Sequence, residues 1–256
     1  MNRAVQHGRT LLPPASIVQR ALPRMTALHP DTMNTSLQTV APSAPDASLR
    51  MLKHGTRLLE PDVYVARVGA RQAVFKDYRR YKWTPLAPLA RLLVRHEARV
   101  LDRLRGWGYA PALLGTIGGL VLGMEFIDGR VLGRDMGMVS DEVFGHLRNA
   151  VATLHAAGIA HNDLHNSNIL VSGGVPKVVD FASALLMPAW LARSPLGRQL
   201  VRSDLANVMK MQSRLTGTAP SRAEATLLAE PRWVRAIRNA WKRMYRGKGR
   251  AARGRA

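Results

Sequence analysis

The sequence predicts an α+β fold in two lobes, a small β-rich lobe followed by a minimal helical one. Three observations carry that expectation. Residues 63–76 alternate as two strands about a Gly69-Ala70 turn. Two stretches, Leu89 to Leu104 and Phe144 to Leu154, repeat apolar residues at helical spacing. Residues 161–181 compress loop, strand, turn and strand into one unit with oxygen-bearing side chains at its ends. With 256 residues, 46% of them hydrophobic, the chain has room for one two-lobed domain or two small ones, and enough apolar material to fill a core.

In chain order, Val63–Val68 is the first strand and Arg71–Lys76 its partner, and alternation puts Val74 and Lys76 on one face. The helix that follows carries Leu89, Leu92, Leu93, His96, Val100, Leu101 and Leu104, with Glu97 in its middle and Gly106 or Gly108 at its end. Leu113 to Ile127 is too Gly-rich, and too interrupted by Glu125, to span a membrane. It fits two strands joined at Gly118-Gly119, the second running from Leu120 to Glu125 and into an Asp128-Gly129 turn. Ser140 opens a helix with the stripe Phe144, Leu147, Val151 and Leu154, which Gly158 closes. Ile169–Val171, the turn Ser172-Gly173-Gly174 and Val175–Val179 form a hairpin that delivers Asp180. Leu200, Leu205, Val208, Met209 and Leu215 trace another helix, with Ser203-Asp204 near its start. From Pro231 onward, Trp233, Val234, Ile237, Trp241, Met244 and Tyr245 make one more stripe, ringed by basic residues and stopped at Gly247.

Chemistry gathers in the 161–181 unit. Asp163 and Asn168 lie five positions apart on a tight loop, and Asp180 emerges where the hairpin ends. Three oxygen-bearing side chains directed to one place suit Mg²⁺ and a nucleoside triphosphate beside an acceptor hydroxyl. The plainer alternative is a hairpin whose Asp and Asn merely cap turns. His161-Asn162-Asp163 with Asn168, then Asp180-Phe181, resembles the protein-kinase pattern H-R-D-x-x-x-x-N followed by D-F-G. That resemblance implies that Asp163 orients the acceptor hydroxyl and takes its proton, while Asn168 and Asp180 hold Mg²⁺. Ala73-Val74-Phe75-Lys76 likewise resembles V-A-I-K, which implies Lys76 on the phosphates of ATP, Val74 against the adenine, and Glu97 as the partner of Lys76. By the same resemblance the backbone of Glu125 and Ile127 binds adenine, with Met124 behind the pocket. Asp204 resembles the kinase aspartate that holds the catalytic-loop backbone, although an acid near a helix N-terminus also has a simple dipole reason.

Several positions depart from an ordinary protein kinase. No G-x-G-x-x-G precedes Lys76, so the phosphates must be covered differently. Asn162 replaces the Arg of H-R-D, Ala182 replaces the Gly of D-F-G, His165 stands where a Lys is usual, and no A-P-E follows. Switching by activation-loop phosphorylation is therefore not expected. The chain is similar to the small bacterial RIO-type and lipopolysaccharide-kinase-like proteins. The runs that carry this are Arg95-His96-Glu97-Ala98, Pro111–Gly115, Leu154-His155 through Val171, Ser203-Asp204-Leu205 and Lys242–Arg246, roughly residues 55 to 246.

Composition narrows the partners. There is no Cys, which excludes disulfides and thiolate zinc sites. The formal net charge of +21 calls for an anionic partner. After Glu230 no acid remains, and the stripe from Pro231 with its basic surround suits either packing on the large lobe or peripheral contact with an anionic membrane through residues 231–256. Residues 1–50, rich in Pro, Ser, Thr and Ala, read as a disordered leader or a start assigned too early, with no apolar signal segment. The expected organisation is then 51–128 for the first lobe, 129–247 for the second and 248–256 for a basic tail. The functional expectation is an ATP- and Mg²⁺-dependent kinase acting on a hydroxyl of an anionic acceptor, either a glycolipid sugar or protein Ser/Thr. It would work in the cytoplasm, peripheral on the inner membrane face. The alternatives are a small-molecule phosphotransferase of the aminoglycoside- or choline-kinase type and a non-catalytic nucleotide-binding module. Nucleic acid is the less favoured partner, and the sequence leaves oligomeric state open.

Overall fold

The computed structural model describes residues 49–217 apart from 134–135 and 137–138. The expected leader, the stripe from Pro231 and the basic tail lie outside the described residues.

A five-stranded antiparallel sheet comes first. Its strands are β1 (Arg50–Lys53), β2 (Asp62–Val68), β3 (Arg71–Asp77), β4 (Leu113–Ile117) and β5 (Val121–Glu125), in the spatial order β1-β2-β3-β5-β4. β2 and β3 pair without a slip from Asp62↔Asp77 to Val68↔Arg71, as the alternation over 63–76 requires. β3 then pairs with β5, setting Val74 opposite Met124 and Lys76 opposite Leu122.

Between β3 and β4 runs α1 (Ala87–Arg103). Its buried face is made of Ala87, Ala90, Val94, Glu97, Ala98, Val100 and Leu101. Leu89 and Leu92, read from the sequence as part of the apolar stripe, are instead 42% and 54% exposed. Three of the seven residues on the inner face are alanines, while Leu89 and Leu92 are left outside.

β6 (Arg130–Val131) leads to α2 (Asp141–Ala156), where Phe144, Leu147, Val151 and Leu154 are buried as expected. Gly158, at φ 73°, ends that helix in the left-handed region. A Cβ there would stand 3.0 Å from the Met187 carbonyl, whose own N–H donates to the Gly158 carbonyl at 2.7 Å. Glycine thus closes the helix and lets β7 (Ile159–Ala160) pair with β10 (Leu185–Leu186). Between those strands lie a short 3₁₀ turn at Asn166–Asn168 and the hairpin β8 (Ile169–Ser172)–β9 (Val175–Val178). Register Ser172↔Val175 leaves Gly173 and Gly174 alone in the turn.

The short helix α3 (Ala189–Ala192) precedes α4 (Pro195–Thr216). Ser194 caps α4 by accepting from the Gly197 N–H at 3.0 Å, with Pro195 at the first helical position. Asp204 therefore lies mid-helix rather than near a start, and it is fully buried. A dipole role for it falls away. One apolar cluster runs from Tyr78 and Val94 through Leu122 and Met124 to Phe144, Leu147, Phe181 and Val208, joining sheet and helices.

Candidate active site

Lys76 stands at the centre of a buried charge cluster. Its Nζ donates to Glu97 Oε1 at 2.6 Å and to Asp180 Oδ1 at 2.9 Å. β3 supplies the lysine, the inner face of α1 the glutamate, and the end of the β8–β9 hairpin the aspartate. Glu97 Oε1 also accepts the Phe181 N–H at 3.1 Å, tying α1 to the residue after Asp180. Burial alone would make the Lys76 ammonium easier to deprotonate; the Glu97 and Asp180 carboxylates more than reverse this and hold it charged well above the usual lysine range. Burial likewise pushes the Asp180 carboxyl up, and the Lys76 charge outweighs it, keeping Asp180 below the usual carboxylate value. Asp180 adopts φ 63°, a left-handed conformation that Asp tolerates better than most residues.

The loop at 161–168 is fixed from beneath by Asp204. Its Oδ2 accepts the His161 N–H at 2.8 Å and faces His155 Nε2 at 3.0 Å, and its Oδ1 accepts the Asn162 N–H at 2.9 Å. Asn162 takes a left-handed conformation, φ 63°, where Asn is tolerated. Asp163 then projects a half-exposed carboxylate, with His165 Nε2 3.7 Å from its Oδ2. Asn168 is buried and spends its amide Nδ2 on the Asp163 carbonyl at 2.9 Å and on His165 Nε2 at 3.1 Å. That leaves Asn168 Oδ1 and Asp180 Oδ2 without protein partners among the described residues. Two hard oxygens from an amide and a carboxylate fit Mg²⁺, which takes few protein ligands and fills its octahedron with water and phosphate oxygens. Among the described residues no three His, Asp or Glu side chains converge as a closed metal cage.

His161 lies wholly buried against Phe181, ring centroids 5.1 Å apart, with Nε2 3.2 Å from the Val179 carbonyl. Its Nδ1 is buried without a partner among the described residues. A second proton would have nowhere to bond, and burial holds the imidazole below its ordinary 6.5. Because the unfolded chain binds that proton first, this residue's stability contribution is complete above about pH 6.5 and is lost as pH falls through the lower folded value. Urea unfolding at pH 7.5 and 5.5 should show a drop in stability that His161→Phe reduces; an equal drop in both proteins would show that His161 is not its source.

A cavity of about 980 Å³ has Val65, Ala73, Glu125 and Phe126 in its wall, together with Arg50 and Arg71, but neither Val74 nor Lys76 nor Ile127 lines it. Glu125 is held to Ala112 twice, its N–H donating to the Ala112 carbonyl at 2.9 Å and its carboxylate accepting the Ala112 N–H at 3.0 Å. Ile127 follows in the irregular segment between β5 and β6, and Val74 lies half-buried on β3 beside Met124.

Where a Gly-rich flap would lie, the β1–β2 connection is fastened to itself. Glu60 Oε2 accepts the Thr56 and Arg57 N–H groups, each at 2.9 Å, and Asp62 Oδ1 accepts the Gly55 N–H at 2.9 Å. Lys53 Nζ closes on Glu60 Oε1 at 2.6 Å. The Arg80 guanidinium donates to the carbonyls of Gly55 and Glu60, and the Leu59 N–H meets Tyr81 Oη at 2.9 Å. The Lys53 contact and the two backbone N–H groups hold the Glu60 carboxyl down at about 2. Sequence reading missed this clasp, as it missed His155 and the His96 contact to the Ala184 carbonyl at 2.7 Å.

Sheet, pinned loop and lysine–carboxylate cluster together make a protein-kinase-like fold. Residues 113–189 match the family described as lipopolysaccharide core biosynthesis protein (WaaY). Among curated proteins, the probable bifunctional tRNA threonylcarbamoyladenosine biosynthesis protein of Methanosarcina barkeri is 33% identical over 90 residues, 35% of this chain and 16% of that one. Its counterpart in Methanothermobacter thermautotrophicus is 35% identical over 89 residues, 34% and 16% of the two chains. The match thus spans 16% of the length of these relatives. Among solved structures, the Rio2 kinase–ADP/Mg²⁺–phosphoaspartate complex from Chaetomium thermophilum superposes with a TM-score of 0.51 at 17% identity, over 70% of this chain and 60% of that one.

Proposed function

We propose that the chain is an ATP-dependent kinase that moves the γ-phosphoryl group to a hydroxyl of an anionic acceptor. The observation that carries this is the Lys76–Glu97–Asp180 cluster, closed at 2.6 and 2.9 Å beside the loop that bears Asp163 and Asn168. Lys76, fixed by Glu97, neutralises the phosphates of ATP. Val74 and the backbone of Glu125 and Ile127 seat the adenine. Asn168 Oδ1 and Asp180 would hold Mg²⁺, which would offset the charge of the phosphates. Asp163 aligns the acceptor hydroxyl and accepts its proton as the oxygen bonds to the γ-phosphorus and the bond to ADP breaks. The neighbouring Rio2 structure, solved with ADP and Mg²⁺, supports the choice of nucleotide and ion.

For the acceptor we favour a glycolipid sugar hydroxyl, with protein Ser/Thr second. The +21 charge and the family description over residues 113–189 support this order. Such an acceptor places the enzyme on the cytoplasmic face of the membrane, in reach of ATP, and residues 231–256 would add basic contacts there. Among the described residues no helix is long and apolar enough to cross a membrane.

The test is transfer of labelled phosphate from ATP with Mg²⁺ into a cell extract separated into glycolipid, protein and soluble pools. Label in the glycolipid pool that falls about 10²- to 10⁴-fold with Asp163→Asn is the expected result, the range a general base supplies. Label confined to the soluble pool would favour a small-molecule phosphotransferase. Nucleotide binding without any Asp163-dependent label would favour a non-catalytic module.

A further inference from the structure

Helix α1 has a second face with no assigned task. On the inside it carries Glu97 to Lys76. Outside, Arg91, Arg95, Arg99 and Arg103 recur at every fourth residue, and the last three are exposed. None of the four pairs with an acid among the described residues, and the nearby Asp102 is taken by Arg105 at 2.5 Å. Like charges four apart on a helix destabilise it, so an unneutralised row of this kind favours a polyanion laid along it. At the N-terminal end of the same row Leu89 and Leu92 are exposed, and Trp83, just before the helix, is 88% exposed with Lys82 Nζ 4.7 Å from its ring centre.

We propose that this outer face of α1, with Trp83, docks on an anionic phospholipid bilayer. The arginines meet headgroup phosphates, and Trp83, Leu89 and Leu92 enter the interfacial layer beneath them. A polynucleotide would neutralise the arginines but leave the two leucines in water, because its accessible surface is charged or stacked. A bilayer offers negative charge with an apolar layer directly below, which matches both halves of the face. Seventeen residues make a helix about 25 Å long, enough for these groups to lie in one plane along the membrane surface. Because the docking face lies opposite Glu97, contact there braces α1 without obstructing nucleotide or acceptor. The proposal stands independently of phosphoryl transfer.

The chain has no cysteine, so Leu92→Cys in the full-length protein accepts a single nitrobenzoxadiazole label at an already exposed position. Vesicles of phosphatidylcholine alone and vesicles containing phosphatidylglycerol are then titrated, with single-stranded RNA in a parallel arm. Docking predicts a blue shift and several-fold brightening with the anionic vesicles only. It also predicts at least a tenfold loss of partitioning when Arg95, Arg99 and Arg103 are all changed to Gln, since each basic group near a lipid surface contributes substantially. A silent label on protein that still sediments with vesicles would overturn the proposal and place attachment elsewhere, as in residues 231–256. A label that answers RNA but not vesicles would overturn it in favour of a polynucleotide. Absence of any vesicle binding would overturn it outright.

Discussion

Asp180→Asn is expected to lower phosphoryl transfer by about 10³-fold or more while the chain stays folded, on the scale of removing one preorganised electrostatic contact. The substitution keeps the shape of the side chain and one oxygen. It removes the charge that would bind Mg²⁺ with Asn168 Oδ1 and that faces Lys76 at 2.9 Å. Lys76 does not become an orphaned cation, because Glu97 still holds it at 2.6 Å. Fold and chemistry therefore separate at this position. Titration of ADP should show the Mg²⁺-dependent part of its affinity gone and the metal-free part retained through Lys76. A variant that keeps full transfer, or one that loses metal-free ADP binding as well, would remove Asp180 from its assigned place.

Asp204→Ala carries the largest stability effect. One buried carboxylate serves two backbone N–H groups of the 161–162 segment and faces the His155 ring, all within 3.0 Å. Its loss leaves those donors dry and unpaired, at about 3–5 kcal/mol in total. For a chain of this size that is a fall of about 10 °C in melting temperature. Transfer should also fail at temperatures where the variant is still folded, because Asp163 hangs on the freed loop. A thermal melt within two or three degrees of the parent would show that the loop has other supports.

How much of this could be read beforehand depends on how each feature is encoded. Asp163, Asn168 and Asp180 stood out because three oxygen-bearing side chains gather in one short loop–hairpin unit, and Lys76 through the resemblance of its strand to the kinase V-A-I-K. Glu97, in the middle of a periodic helix, was picked out as the partner of Lys76 only by the resemblance to the kinase pattern. The orientation of that helix was less visible, because Ala87, Ala90 and Ala98 contribute little to an apolar pattern while the outward Leu89 and Leu92 contribute much. Asp204 was recognised by position but set at a helix start, although Ser194-Pro195 marks the true start nine residues earlier. Side chain to backbone bonds such as those of Glu60 leave no periodic trace, so the β1–β2 connection could only be noted as lacking glycines.

That connection has a kinetic consequence. With Gly55, Thr56 and Arg57 already donating to Asp62 and Glu60, it acts as a fixed wall and not as a hinged cover. On the proposed reading, this connection would not have to swing aside before spent nucleotide departs. If the chain turns over ATP as proposed, the tempo of turnover should then be set by how quickly a divalent ion held by Asn168 and Asp180 would be released, with ion exchange as its clock.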